Sequence, residues 1–153
     1  MITVSRIANA NRGDLLCITY EFLLEQIGYL IDIKTDNDQE ADTLVKYYKH
    51  LDKCKQILAM LVRDLDFNQS ISGDLFKLYV YVQGVLIKAK TVEELEVAQD
   101  IINKLYEAFE EAAKEDESSS VMKNTEEVYA GLTYGPNDIN ETVTGSTGRG
   151  YNA

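Results

Sequence analysis

The fold is decided by one stretch of the chain, residues 72–89, with the sequence Ser72-Gly-Asp-Leu-Phe-Lys-Leu-Tyr-Val-Tyr-Val-Gln-Gly-Val-Leu-Ile-Lys-Ala89. Apolar residues recur in it at steps of three and four, which places them on one side of a helix. A surface helix needs an apolar stripe only about 100° wide, and here Phe76, Val80 and Val85 extend the apolar surface further. We therefore expect a central helix that packs on more than one side. Its main apolar positions are Leu75, Leu78, Tyr79, Val82, Leu86 and Ala89.

Three more segments have apolar residues at helical spacing, at about residues 12–34, 39–66 and 91–114. Side chains that can accept hydrogen bonds from the first free N–H groups of a helix precede each one. The residues expected to cap the four helices are Asn11 with Asp14, Asn37 or Asp38, Ser72, and Thr91 with Glu94. Four long helices on short links predict an all-α fold, an antiparallel up-and-down four-helix bundle.

The helix at about residues 12–34 shares two features with the stretch at 72–89. Both have unusually wide apolar faces, and both contain an interior glycine, Gly28 and Gly84. A glycine inside a helix costs up to about 1 kcal/mol relative to alanine, and close approach of another helix is one reason to keep it. We therefore expect these two helices to contact each other.

The chain divides into three parts by composition. Residues 1–10 form an N-terminal arm, residues 11–117 the helical bundle, and residues 118–153 a largely disordered tail that is rich in glycine. The serines at 118–120 are expected to end the last helix. Within the tail, residues 128–134 carry two aromatic and two aliphatic side chains, so we expect this segment to dock weakly on the bundle.

Charge and hydropathy exclude several classes of protein. A net charge of −11 argues against nucleic acid as a partner, because binding to phosphates needs clustered lysine and arginine. No apolar run approaches the roughly 18 residues of a membrane-spanning helix, and the first residues do not resemble a signal peptide. Cys17 and Cys54 fall inside helical patterns and fit buried thiols in a reducing cytosol.

The motifs of catalysis and cofactor binding are missing from the sequence. His50 is the only histidine and has no glutamate three residues before it, so the paired Glu-x-x-His motif of metal-binding bundles does not occur. There is no glycine-rich phosphate loop and no nucleophile elbow. We expect no enzyme, no metal and no cofactor, and we expect His50 to be a surface residue.

Four short segments resemble the FliS family, cytosolic chaperones that export flagellin. They agree with the family in order and spacing across about residues 11–113. The chain departs from the family where Glu21-Phe22-Leu23 replaces a usual Asp-Gly-Ala, and where Val80 replaces an aspartate. The four segments are Leu15-Leu-Cys-Ile-Thr-Tyr20, Leu65-Asp-Phe67, Leu78-Tyr-Val-Tyr81 and Leu86-Ile-Lys-Ala89.

The resemblance implies a chaperone in the bacterial cytosol that binds the disordered C-terminal region of flagellin in apolar grooves. The client would fold into helices as it binds, which would prevent premature polymerisation and assist export by the flagellar machinery. The residues expected to line the groove are Leu16, Tyr20, Leu23, Ile27, Leu78, Tyr79, Tyr81 and Val82. The N-terminal arm would act as a lid through Ile2, Val4 and Ile7.

A second hypothesis stays open beside the flagellin chaperone. The bundle could be an adaptor or regulatory protein with a different client, or a structural oligomer whose wide apolar faces meet in a homodimer. Core and groove positions share one helical periodicity, so the sequence leaves the lining residues and the oligomeric state undecided.

Overall fold

A computed structural model describes Ile2, residues 4–8 and residues 11–130, with the side chains of residues 116–130 excepted. These residues form five helices and no strand. The helices are α1 (Val4–Ala8), α2 (Arg12–Asp36), α3 (Ala41–Arg63), α4 (Ser72–Lys88) and α5 (Val92–Ala130). The predicted all-α fold with four long helices is confirmed.

Two of the expected capping interactions are present. The Asp14 N–H donates to Asn11 Oδ1 at 2.8 Å, and the Asn11 N–H donates to the Asp14 carboxylate at 3.2 Å, which completes the capping box of α2. Before α5, the Glu94 N–H donates to Thr91 Oγ1 at 3.2 Å. The Glu94 carboxylate accepts from the N–H of Lys90 at 3.0 Å. This backbone bond is the main reason that the pKa of Glu94 is lowered.

The expected cap at Ser72 is wrong. Ser72 is the first residue of α4, and Ile71 stands before it without a side-chain capping bond. The Ser72 hydroxyl donates instead to the backbone carbonyl of Asp66 at 2.5 Å. Ser72 is buried, so it fastens the connection between α3 and α4 rather than capping a helix.

The turn between α2 and α3 uses both residues that were expected to cap, in other roles. Asn37 ends α2 in the left-handed conformation, with φ 51°. The Asp38 carboxylate accepts from the N–H of Glu40 at 2.9 Å and from the hydroxyl of Thr43 at 2.8 Å. These bonds lower the pKa of Asp38 and hold the turn in place. The N-cap position of α3 itself is Glu40, which makes no side-chain bond to the helix.

Contacts between α2 and α3 show that these helices are antiparallel. Gln26 Oε1 bonds to His50 Nδ1 at 2.7 Å, and further along α2 the Lys34 ammonium lies 4.7 Å from the ring centroid of Tyr47. Residue numbers therefore rise along α2 as they fall along α3. His50 is partly buried in this contact, so the prediction of an ordinary surface histidine is wrong. Burial, followed by the charge of Lys53, lowers the pKa of His50.

One hydrophobic core is shared by α2, α3, α4 and the first part of α5. Burying such side chains stabilises the fold by about 1.5–3 kcal/mol each. The Tyr20 and Tyr79 hydroxyls bond at 2.6 Å, so α2 and α4 are in contact as predicted. The fully buried residues include Tyr20, Leu23, Ile27, Leu30, Cys54, Leu58, Tyr79, Val82, Leu86, Leu95 and Ile102.

The two interior glycines do not explain the contact between α2 and α4, contrary to the prediction. A Cβ atom built at Gly28 or at Gly84 meets nothing within 4 Å. Neither glycine therefore marks a close approach of helices. The contact is made by the two tyrosines.

The last helix continues beyond the expected boundary at residues 118–120 and ends at Ala130. The chain divides into two compact units, residues 1–110 and residues 111–153. All contacts discussed below lie in the first unit. The predicted docking segment at 128–134 lies outside the described residues, apart from the helical backbone of residues 128–130.

Candidate functional site

Most residues expected to line a groove lie inside the bundle instead. Tyr20, Leu23, Ile27, Tyr79 and Val82 belong to the core and are at most 1% exposed. In this conformation they support the fold and are out of reach of any partner. Of the remaining three, Leu16 packs partly buried against the core, Leu78 is partly buried, and Tyr81 is 55% exposed.

The tyrosine pair in the core is joined by a third ring. The centroids of the Tyr20 and Phe109 rings are 5.9 Å apart, which links α2 to α5 in addition to α4. Burial raises the pKa of both tyrosines, and the bond between their hydroxyls satisfies groups that would otherwise be unpaired. These three aromatic side chains hold α2, α4 and α5 together.

A strip of exposed apolar side chains runs along one flank of α4. Phe76, Val80 and Ile87 lie at positions i, i+4 and i+11, so they share one face of the helix. Phe67, in the connection that follows α3, contacts Phe76 edge to face with 6.1 Å between ring centroids. This contact places the exposed flank of α4 on the side of α3.

The strip continues onto α3. His50 marks the flank of α3 that faces α2, whereas Leu44 and Tyr48 lie on the opposite flank, next to α4, because α3 packs against both helices. Both residues are exposed. We define the α3–α4 strip as Leu44, Tyr48, Phe67, Phe76, Val80 and Ile87, which are between 40% and 63% exposed.

The N-terminal arm lies on another side of the bundle. The Arg6 guanidinium pairs with the Glu21 carboxylate through two hydrogen bonds, one of them at 2.9 Å, and this interaction raises the pKa of Arg6. Glu21 is one of the residues that replace the usual family sequence. The nearby Tyr106 has its pKa raised to about 12 by burial and by its bond to Glu110. The arm therefore lies where α2 meets α5, and not along the α3–α4 strip.

The predicted lid residues are unequally placed in this arm. Val4 is 84% exposed and Ile7 is 41% exposed, whereas Ile2 is partly buried. Cys17 and Ile18 of α2 are buried, although they do not belong to the main core. Arg6, Glu21 and Glu110 all lie near enough to Cys17 to affect its pKa, which burial raises to about 11. We infer that the arm contributes to covering Cys17.

Sequence reasoning missed the α3 half of the strip and Phe67. The available signal was the excess width of the apolar faces, since a helix that buries one stripe has no structural need for Phe76 and Val80 beyond it. The excess is visible in the sequence of α4, whereas Leu44 and Tyr48 of α3 have the same helical spacing as the core residues of α3.

No group of three or more His, Cys, Asp or Glu side chains in the described part of the chain is arranged to hold a metal ion. No helix built from the described residues is both long and apolar enough to cross a membrane.

Comparison with known proteins gives a family. The family model of the flagellar protein FliS matches residues 3–116, which include α1 to α4 and the first part of α5. A search of the curated proteins finds no match. The matched range covers most of the 153 residues and contains the α3–α4 strip. The chain therefore belongs to the FliS family, a family of flagellar export chaperones.

Proposed function

We propose that this chain is a bacterial cytosolic chaperone that binds the disordered, amphipathic C-terminal region of flagellin along the α3–α4 strip. The observation that carries the proposal is the strip itself, six large apolar side chains that are 40–63% exposed beside a complete core. Exposed apolar surfaces of this extent mark sites of interaction. Membership of the FliS family supports the role in export, and the identity of the client is the proposed part.

The dimensions of the strip fit a helical client. Phe76 and Ile87 are separated by eleven residues of α4, which is a rise of about 16 Å, or three helical turns. A client helix with apolar residues at i, i+3, i+4 and i+7 could cover this length. Ordering a disordered segment costs free energy. Burial of the apolar face of the client helix against the apolar face of the strip offsets that cost. A client held as a helix on the strip is not free to polymerise.

Val80 affects the strip in a way that is particular to this chain. It stands where the resembling family sequences usually have an aspartate, and it is 52% exposed between Phe76 and Ile87. An aspartate there would interrupt the apolar surface with a charge. With valine, Phe76 and Val80 form an apolar pair one turn apart, so we propose that the client presents an apolar side chain at this level.

Titration calorimetry with a synthetic peptide of the flagellin C-terminal region tests the proposal. Phe76→Ser combined with Ile87→Ser should weaken binding about 10-fold or more, because both side chains lose apolar contact area with the client. The control, Met60→Ser combined with Val97→Ser, changes two comparably exposed apolar residues elsewhere and should bind normally.

Equal affinity of the first variant and the natural chain would show that the client does not use the strip. A natural chain that does not bind the flagellin peptide at all would instead favour the alternative of an adaptor with another client.

A further inference from the structure

A second exposed apolar surface lies on the other side of α3, in the groove between α3 and α2. The His50 ring bonds to Gln26 and stacks on Tyr29 with 4.6 Å between ring centroids, which fixes the register of the two helices. Leu15 and Phe22 precede Tyr29 by fourteen and seven residues, so the three side chains share one flank of α2.

Met60 of α3 lies between the levels of Leu15 and Phe22 in this antiparallel register. It is ten residues beyond His50, while Leu15 is fourteen residues before Tyr29. We define the α2–α3 groove as Leu15, Phe22, Tyr29 and Met60, which are each between 39% and 44% exposed. From Leu15 to Tyr29 the helix rises about 21 Å.

Three lysines border the groove on the side of α3. Lys46, Lys49 and Lys53 lie at positions i, i+3 and i+7, and Lys53 is seven residues before Met60 on the same flank. The charge of Lys53 is near enough to lower the pKa of His50, although burial is the larger cause. Among the described residues, no carboxylate lies within salt-bridge distance of these three ammonium groups.

The charge along this border is opposite to that of the whole chain. Residues 41–63 of α3 carry five basic and two acidic side chains, a net charge of +3, whereas the total is −11. On the α2 side, Glu25 lies three residues after Phe22 and four before Tyr29, so the opposite edge of the groove carries a carboxylate. The groove is therefore apolar along its floor and positive along one edge.

We propose that the α2–α3 groove binds an amphipathic helix of a partner protein that carries acidic residues along one flank. The apolar stripe of that helix would cover Phe22 and its neighbours, and its carboxylates would pair with Lys46, Lys49 and Lys53. Charge complementarity selects an acidic partner. The apolar floor selects a folded helix over a flexible polyanion, which would have nothing to place against Phe22. This site is separate from the α3–α4 strip and does not depend on the identity of the client there.

Three synthetic peptides serve as probes for the site. The first has a leucine stripe at i, i+3, i+4 and i+7 with glutamates along one flank, the second has lysines in place of the glutamates, and the third has glutamates but glutamines in place of the leucines. Fluorescence anisotropy with the full chain should show binding of the first peptide alone. Its affinity should fall as salt is raised, because charges on the surface are screened.

A charge-reversal variant locates the binding. Lys46→Glu, Lys49→Glu and Lys53→Glu together should weaken binding of the acidic-flank peptide at least 10-fold and allow the lysine-flank peptide to bind. The matched control, Lys77→Glu, Lys88→Glu and Lys104→Glu, makes the same change in net charge on α4 and α5 and should leave binding of the acidic-flank peptide close to normal. Urea denaturation of both variants checks that each is folded.

Several results would overturn the proposal. Equal weakening by both charge-reversal variants would mean that only net charge matters, and binding of the third peptide would mean that the apolar floor is irrelevant. If only the Phe76→Ser, Ile87→Ser variant lost binding of the acidic-flank peptide, the peptide would bind to the α3–α4 strip and not to the groove. If the chain associated with itself and the changes at Lys46, Lys49 and Lys53 abolished this, the groove would bind a second copy of the chain.

Discussion

At the scale of single residues, buried tyrosine hydroxyls occur in two opposite situations, with and without a hydrogen-bond partner. Tyr20 and Tyr79 are both buried and bond to each other at 2.6 Å. The hydroxyl of Tyr47 is also buried, but it has no hydrogen-bond partner among the described residues. A buried polar group without a partner costs about 1–3 kcal/mol, whereas removing both partners together can be nearly neutral. The effect of a Tyr→Phe change therefore depends on the position.

We predict that Tyr20→Phe lowers the free energy of unfolding by about 1–3 kcal/mol, because it leaves the Tyr79 hydroxyl unpaired. The double variant Tyr20→Phe, Tyr79→Phe should lose less than the sum of the two single losses, since no unpaired group remains. Tyr47→Phe is the matched control and should be neutral or stabilising by up to about 1 kcal/mol. Urea denaturation measures all four variants. Additive losses at Tyr20 and Tyr79, or a clear loss at Tyr47, would contradict this account.

At the scale of helices, most boundaries could be predicted because their chemistry is local. The capping box at Asn11 fixed the start of α2, and Thr91 with Glu94 fixed the start of α5. The end of α5 was wrong because serine costs only a few tenths of a kcal/mol more than alanine inside a helix. Residues 118–120 therefore continue the helix.

The functional surfaces could be predicted only in outline. The excess apolar width of α2 and α4 indicated that something besides the core had to be covered. Which residues were in excess could not be decided, because helical spacing puts core residues and their flanking neighbours in one pattern. Tyr47 and Tyr48 illustrate this, since Tyr47 is buried and Tyr48 is 60% exposed. Only the positions of the neighbouring helices separate them.

The hypothesis that the N-terminal arm is a lid can be tested at the scale of one helix, by removing α1. We predict that deleting residues 1–10 makes Cys17 reactive at pH 8 toward an aromatic disulfide such as dithiobis(nitrobenzoate). The thiol becomes accessible because Arg6 and its neighbours no longer cover it. Cys54 is the internal control, since it is fully buried in the main core and should stay unreactive. The same deletion should strengthen binding of the flagellin peptide if the arm competes with the client.

The two readouts separate two functions of the arm. Reactive Cys17 with unchanged affinity would make the arm a cover for α2 and would reject the lid. Reactive Cys17 with weaker affinity would make the arm part of the binding site. An unreactive Cys17 would show that α2 and α5 bury this thiol without the arm.

At the scale of the whole molecule, α3 has a special position. Its buried side packs between α2 and α4, and each of its two flanks borders an exposed apolar surface, the α2–α3 groove and the α3–α4 strip. On α3 the strip is bordered by the Lys55–Asp52 ion pair, whereas the groove has three lysines. Because the core is complete without either surface, both can change in evolution to suit a partner while the bundle stays folded.

The stability of the whole bundle should depend on pH in the alkaline range. Burial raises the pKa of Cys54 from an ordinary value of 9.0 to about 12, and that of Cys17 to about 11. Well below pH 9 both thiols are protonated in the folded and the unfolded chain, so they contribute no pH dependence to stability. Above pH 9 the unfolded chain loses these protons while the folded chain keeps them, which favours unfolding.

We predict that the free energy of unfolding is flat between about pH 7.5 and 8.5 and then falls by about 1.4 kcal/mol per pH unit for each thiol. The loss from Cys17 should be complete near pH 11 and that from Cys54 near pH 12. Urea denaturation at intervals of half a pH unit measures the slope. The variant Cys17→Ala, Cys54→Ala is less stable throughout because it leaves cavities, but its curve should stay flat to about pH 10, where the buried tyrosines begin to matter. Equal slopes for the two proteins between pH 9 and 10 would show that the thiols are not the cause.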